Sequence, residues 1–226
     1  MTDPAASPLP VVILISGRGS NLQAIIAAVA DDALPVDIRA VISNRPNATG
    51  LQGAAQAGIA TAIVDHTLYT DRRAFDQALQ ACIDQYQPGL VILAGFMRIL
   101  SADFVDHYRG RMLNIHPSLL PDFPGLNTHQ RVLDAGNEVH GASVHFVTAD
   151  VDGGPVVLQA RVPVHTDDTA ESLAARVLEQ EHQLYPMAIR WFARRRLTLG
   201  EKGQAVLDGV ILTEPRQLSA IVSEAC

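Results

Sequence analysis

Val11-Val12-Ile13-Leu14-Ile15 puts five large apolar side chains in consecutive positions, and Ser16-Gly17-Arg18-Gly19-Ser20-Asn21 follows at once. A strand sends alternate side chains to opposite faces, so an unbroken apolar run needs cover on both faces of its sheet. The glycine-rich turn ends the strand. Leu22, Ile25, Ile26 and Val29 then recur at helical spacing. A doubly buried strand feeding a helix through a tight turn is the opening unit of a parallel α/β sheet.

The unit repeats. Strand-like runs occur at 38–43, 60–64, 90–94 and 112–116, with helical stretches between several of them. Residues 71–86 give the clearest helix, with Phe75, Ala78, Leu79, Cys82, Ile83 and Tyr86 on one face. Cys82 thereby reads as a core residue, not a reactive thiol. The second half differs. Strands are expected at 139–147 and 155–164, and the short loop between them fits an antiparallel pair. In the second of these, Val156, Leu158, Ala160, Val162 and Val164 are expected to face inward, with Gln159 and Arg161 outward. A long helix follows, with Asp168 and Glu171 at capping-box spacing. Residues 206–212 read as a small hairpin around Asp208-Gly209. The expected fold is α/β: a Rossmann-like, doubly wound, mainly parallel mixed sheet with a small C-terminal hairpin. Residues 1–10 are expected to be a disordered leader, 11–215 a single domain and 216–226 a tail.

Composition narrows the function. The 226 residues are 48% hydrophobic and carry a formal charge of −7, which excludes a nucleic-acid binder relying on a broad basic surface. A local cationic pocket for a small anion remains compatible. The first ten residues hold three prolines, one acid and no base, unlike a signal peptide. The longest apolar run is too short to span a bilayer. Cys82 and Cys226 are the only cysteines. A disulfide between them stays open, but a reduced cytoplasmic chain is simpler.

Five places carry chemistry. Asn114-Ile115-His116-Pro117 ends an apolar run, so Asn114 and His116 share a face and Pro117 breaks the strand just after them. An amide beside an imidazole can hold a developing oxyanion and move a proton; a hydrogen-bonded strand end is the plainer reading. The loop Asp150-Val151-Asp152-Gly153-Gly154 offers carboxylates on a glycine hinge, or simply a solvated turn. Asp152 near His116 would favour imidazolium. The turn at Gly19, Ser20 and Asn21 can present free N–H groups to a phosphate, or be an ordinary turn capped by Ser20 or Asn21. It lacks the third glycine of a dinucleotide fingerprint and the Lys-Ser/Thr of a P-loop. Glu181 projects among Leu173, Val177, Leu184 and Ala188 on the apolar stripe of the long helix, where a carboxylate needs a partner, a ligand or a distortion before Pro186 that lets it reach water. Phe96-Met97-Arg98-Ile99-Leu100 follows a strand's C-terminal end, where α/β sheets bind ligands; a buried strand-to-helix turn is the alternative. The remaining histidines, among them His107, His129, His140 and His145, show no metal-ligand spacing, and no metal is expected.

Four segments occur together and in order: 15–23, 93–100, 113–121 and 152–155. On these the chain closely resembles the folate-dependent phosphoribosylglycinamide formyltransferases of purine synthesis, from about residue 11 to 191. Arg18, Asn127 and the leader are variations, and no catalytic position of the family pattern is substituted. The resemblance implies formyl transfer from 10-formyltetrahydrofolate, as co-substrate, to the amine of glycinamide ribonucleotide. It implies Asn114, His116 and Asp152 as the catalytic set, and Gly19, Ser20, Asn21 and Glu181 as the ribonucleotide site. Arg72, Met97, Arg98, Ile99 and Leu100, with Asn114 and the loop Thr148, Ala149, Asp150, Val151 and Asp152, become the folate site. The implied partners are these two small molecules, with no nucleic acid and no membrane; a homodimer is left open. The runner-up is another formyl-folate enzyme, either a 10-formyltetrahydrofolate hydrolase or a protein like methionyl-tRNA formyltransferase. Those relatives carry an extra N-terminal or C-terminal domain, for which this chain has no room. A non-catalytic nucleotide-binding module is the alternative class.

Overall fold

The computed structural model describes residues 7–31 and 33–218. The elements run β1 (Leu9–Ile15), α1 (Ser20–Ala30), β2 (Val36–Ser43), α2 (Gly50–Gln56), β3 (Thr61–Ile63), α3 (Arg72–Asp84), β4 (Leu90–Leu93), α4 (Ala102–His107) and β5 (Met112–His116). Then come α5 (Thr128–Asp134), β6 (Val139–Phe146), β7 (Val156–Pro163), α6 (Ala170–Ala193), β8 (Leu197–Leu199), β9 (Ala205–Leu207), β10 (Val210–Ile211) and β11 (Arg216–Gln217). Eight strands form one sheet in the order β11-β7-β6-β5-β4-β1-β2-β3, in which β6 alone runs against its neighbours. The expected mixed, mainly parallel sheet is thus found, with a separate three-stranded antiparallel sheet β10-β9-β8.

The opening run explains the layering. Val11, Ile13 and Ile15 face a core shared with α1 and α6, while Val12 and Leu14 face a second core built on α3 and α4. All five are fully buried, and each contributes roughly 1.5–3 kcal/mol relative to exposure. Cys82 packs against the second core, and burial raises its thiol pKa, which makes it inert. The order reverses between β1 and β4, and the crevice at their C-terminal ends is where doubly wound sheets bind ligands.

Four local expectations need correction. β1 begins at Leu9, inside the expected leader, because Leu9 and Pro10 pair with Val36 and Asp37. β11 joins the main sheet beside Leu158 and Gln159, so the ordered fold runs past residue 215. Residues 1–6 and 219–226, with Cys226, lie outside the described residues. Gln159 is buried, not outward, because β7 is covered on both faces: its amide donates to Leu120 O and Ser143 Oγ, each at 2.9 Å. The capping box of α6 is Thr169 with Ser172, not Asp168 with Glu171. Asp168 is instead engaged by Arg176, whose guanidinium holds its carboxyl well below the usual range.

Candidate active site

The β1–α1 turn opens onto a cleft of about 290 Å³ at the switch point, lined by Ser16, Ser20, Asn21, Arg45 and Met97 among others. Gly19 is the N-cap of α1 at φ 73°, the left-handed region, and a Cβ there would stand 3.1 Å from Gly50 Cα. No side chain caps this helix, so the alternative of a Ser20 or Asn21 cap is not what forms. The first-turn N–H groups and the positive end of the helix dipole face this cleft, which Arg45 also lines, a space suited to a phosphate. Arg45 went unnoticed in the sequence; its signal was its place just beyond β2, the strand next to β1.

At the cleft's inner edge, Asn21 Nδ2 donates to Glu181 Oε2 at 2.6 Å. Glu181 is 7% exposed, so no distortion carries it to water. Burial raises its pKa, opposed by the Asn21 hydrogen bond. Asn21 Oδ1 is buried without a partner. A buried carboxylate and an idle amide oxygen side by side can receive N–H donors from a ligand. One turn along α6, the fully buried Tyr185 hydroxyl lies 2.9 Å from both Leu93 O and Leu113 O, which fastens the helix to the ends of β4 and β5.

The segment after β4 is neither strand nor helix. Phe96 and Leu100 turn into the core while Met97 and Ile99 stand 57% and 55% exposed, which makes a one-sided apolar wall. The Arg98 guanidinium lies over the Phe75 ring at 5.8 Å, with Nε buried and unpartnered. Ser101 N donates to Asp76 Oδ2 at 2.7 Å and fixes the far end. At the near end, Met97 N donates to Ser16 Oγ, which in turn donates to Asn44 Oδ1. Leu100 is a core residue, so a ligand here could meet only its backbone. Arg72 is exposed at the start of α3, and Val151 is 51% exposed on the loop after β6.

The imidazole site is compact. His116 Nε2 donates to Phe123 O at 3.0 Å, since a carbonyl can only accept. His116 Nδ1 lies 3.3 Å from Asp152 Oδ2, and the same oxygen accepts the Gly125 N–H at 2.9 Å. Both ring nitrogens therefore face acceptors, and the contacts are complete only for imidazolium. Burial opposes that charge and lowers the His116 pKa, against the Phe123 hydrogen bond and the Asp152 charge. Burial also works to raise Asp152, but contacts from His145 and the Gly125 N–H, with the imidazoles' charge, outweigh it and its pKa is lowered. The result is a proton held in place yet readily released, as a general acid requires. Asp152 itself has φ 52°, left-handed backbone that costs of order 1–3 kcal/mol and persists because the loop is fastened around it.

His145, given no role in the sequence, is the missed member. It sits opposite Asn114 in the antiparallel β5–β6 pair. Its Nδ1 donates to Phe146 O at 2.9 Å; its Nε2 pairs with Asp152 Oδ1, 3.7 Å away, when the ring is charged, and accepts from Asn114 Nδ2 at 3.1 Å when it is neutral. That contact fixes which way the Asn114 amide points. Among the described residues, no group of three or more His, Cys, Asp or Glu could hold a metal ion, and no helix is long and apolar enough to cross a membrane.

Comparison with known proteins gives the family and the fold. A model of the formyl transferase family matches residues 9–189. The phosphoribosylglycinamide formyltransferase of Escherichia coli (strain K12) is 55% identical over 199 residues, 88% of this chain and 93% of that protein. The structure of the Coxiella burnetii phosphoribosylglycinamide formyltransferase in complex with CHES superposes with a TM-score of 0.89 at 52% identity, covering 93% of this chain and 99% of that one. A formyltetrahydrofolate deformylase from Pseudomonas syringae is more distant, at 25% identity and a TM-score of 0.82, and the match covers 67% of it.

Proposed function

This chain belongs to the phosphoribosylglycinamide formyltransferases, and from that premise we propose how its residues divide the work of formylating glycinamide ribonucleotide in purine biosynthesis. The observation that carries the assignment is the His116–Asp152 contact beside Asn114, at the end of the strand next to the cleft. The ribonucleotide phosphate rests on the amides of Gly19, Ser20 and Asn21, with Arg45 facing it. Glu181 and Asn21 Oδ1 take the amine end. The formyl donor is 10-formyltetrahydrofolate, its ring against Met97 and Ile99, with Arg72, Arg98, Leu100 and the loop Thr148, Ala149, Asp150, Val151 and Asp152 around it.

The neutral amine attacks the formyl carbon; a C–N bond forms and negative charge builds on the formyl oxygen. Asn114 has a second amide proton free of His145 and donates it to that oxygen, together with imidazolium His116. The bond from the formyl carbon to the folate nitrogen then breaks. The proton lost by the amine reaches that nitrogen through His116 and Asp152, directly or by water. No metal or covalent enzyme intermediate is needed. Holding two substrates in one crevice supplies much of the acceleration.

Incubating the protein with 10-formyltetrahydrofolate and glycinamide ribonucleotide, then with the folate and water alone, tests the reading. Formylated ribonucleotide is expected only in the first mixture, at a rate unchanged by EDTA. Folate hydrolysis without acceptor would point to the hydrolase reading. Loss of activity in EDTA restored by zinc would overturn the metal-free mechanism.

A further inference from the structure

The buried Gln159 amide is a puzzle, since it lies on a strand away from every substrate contact proposed above. Its bonds resolve it. One Nε2 proton goes to Leu120 O and the other to Ser143 Oγ. Ser143, fully buried on β6, donates to Ser118 O at 2.6 Å and accepts from Leu120 N at 3.0 Å. Each donor and acceptor of the pair that can reach the loop is used on the backbone just after His116. Ser118 Oγ continues the clamp by donating to Asp122 O at 2.6 Å. The strand below is cut to fit: a Cβ on Gly141 would strike the Ala160 carbonyl and stand 2.8 Å from Leu119 Cδ2.

The clamped backbone leads to Phe123, whose carbonyl receives the His116 proton. Phe123 has φ 52°, a left-handed conformation that a bulky residue adopts only when its surroundings enforce it. Released from the clamp, Phe123 would relax and its carbonyl would leave the ring. Asp152 would then be the acceptor left to His116, and the neutral ring would carry its proton on Nδ1.

We propose that Gln159 and Ser143 are positioning residues for the imidazole: by clamping residues 118–122 they hold the Phe123 carbonyl on His116 Nε2 and so decide which ring nitrogen faces Asp152. This rests on His116 being the catalytic imidazole. The other groups whose charge His116 feels are Arg131 and His129 from α5, and His140 and His145 from β6. None of them bonds Phe123 O; Arg131 holds the far side of the segment, donating to Pro124 O at 2.6 Å with its guanidinium over the Phe123 ring, and the clamp holds the near side.

The test is Gln159→Met, which keeps the length of the side chain and removes both donors. Histidine 15N NMR of the free enzyme reads the His116 tautomer and its titration, and steady-state kinetics across pH reads its use. Expected are a neutral ring shifted toward the Nδ1–H tautomer, a shift of about half a pH unit in the His116 titration, and a kcat lowered about tenfold with both KM values within about twofold. A structural role alone lowers the melting temperature without moving the tautomer. A wild-type His116 spectrum overturns the clamp, even if kcat falls. A shifted spectrum with unchanged kcat upholds the clamp and removes His116 from catalysis. Should Gln159→Met fail to fold, Ser143→Ala, which deletes the hydroxyl bound to Ser118 O and Leu120 N, carries the same expectations.

Discussion

Two carboxylates in this crevice have opposite chemical tasks, and their surroundings differ accordingly. Asp152 is flanked by imidazoles and a backbone N–H that favour its charged form. Asp152→Asn keeps the shape and removes the charge that favours protonated His116. Its kcat should fall roughly 10²-fold or more while ribonucleotide Kd changes little; near-normal turnover would exclude a proton-transfer role. Glu181 faces apolar surroundings and one amide donor. A primary amine with a pKa near ~8 arrives partly protonated, and a buried carboxylate orients it and recognises its cation. Glu181→Gln should raise the ribonucleotide KM at least ~10-fold and leave folate affinity unchanged, with melting temperature as control. Unchanged ribonucleotide affinity and turnover would reduce Glu181 to a packing role. The phase of the helix was enough to mark Glu181 in the sequence, and the spacing of Asn114 and His116 marked that pair. His145 and Phe123 O were not legible, because their roles come from a cross-strand neighbour and a backbone conformation that local spacing does not encode.

An element matters here through its end. α1 carries no side-chain cap, and Gly19 alone shapes its start. Gly19→Ala forces a Cβ into left-handed backbone at 3.1 Å from Gly50 Cα. It should cost about 1–2 kcal/mol of stability and weaken ribonucleotide binding more than folate binding; denaturant melts and the two KM values check this. Elements with unbroken apolar runs, such as β1 and β4, were readable because burial on both faces leaves no polar position to confuse. The hairpin of β9 and β10 was readable from Asp208-Gly209, whose φ values of 53° and 78° are what such a turn demands. β8 and β11 were not: at three and two residues they have no periodicity and exist by virtue of their partners. Gln159 misled because alternation assumes one wet face. Asp168 misled because a distant arginine competes for the carboxylate that a cap would use.

For the molecule as a whole, buried histidines set the response to acid. Burial, with a smaller push from His129 and His116, takes His140 from 6.5 to about 4, and lowers His129 and His116 too. The unfolded chain takes up these protons from about pH 6.5 while the folded one resists. Stability is therefore complete above that pH and falls as pH drops toward 4, by up to about 1.4 kcal/mol per pH unit for His140. Asp152, with its lowered pKa, adds its own loss only below 3.8. Denaturant melts from pH 7 to 4.5 should show a flatter dependence for His140→Gln; parallel curves would assign the acid sensitivity elsewhere. At the other side of the crevice, the Ser16 hydroxyl lines the ribonucleotide cleft, accepts the Met97 N–H and donates to Asn44. Ser16 N also donates to Gly95 O at 3.1 Å, so this residue splices the two sides of the crevice by backbone and side chain, and the folate wall is not a cassette. A segment 95–100 transplanted from a relative works only in a recipient that already owns this serine and asparagine, so the two substrate specificities must be inherited together.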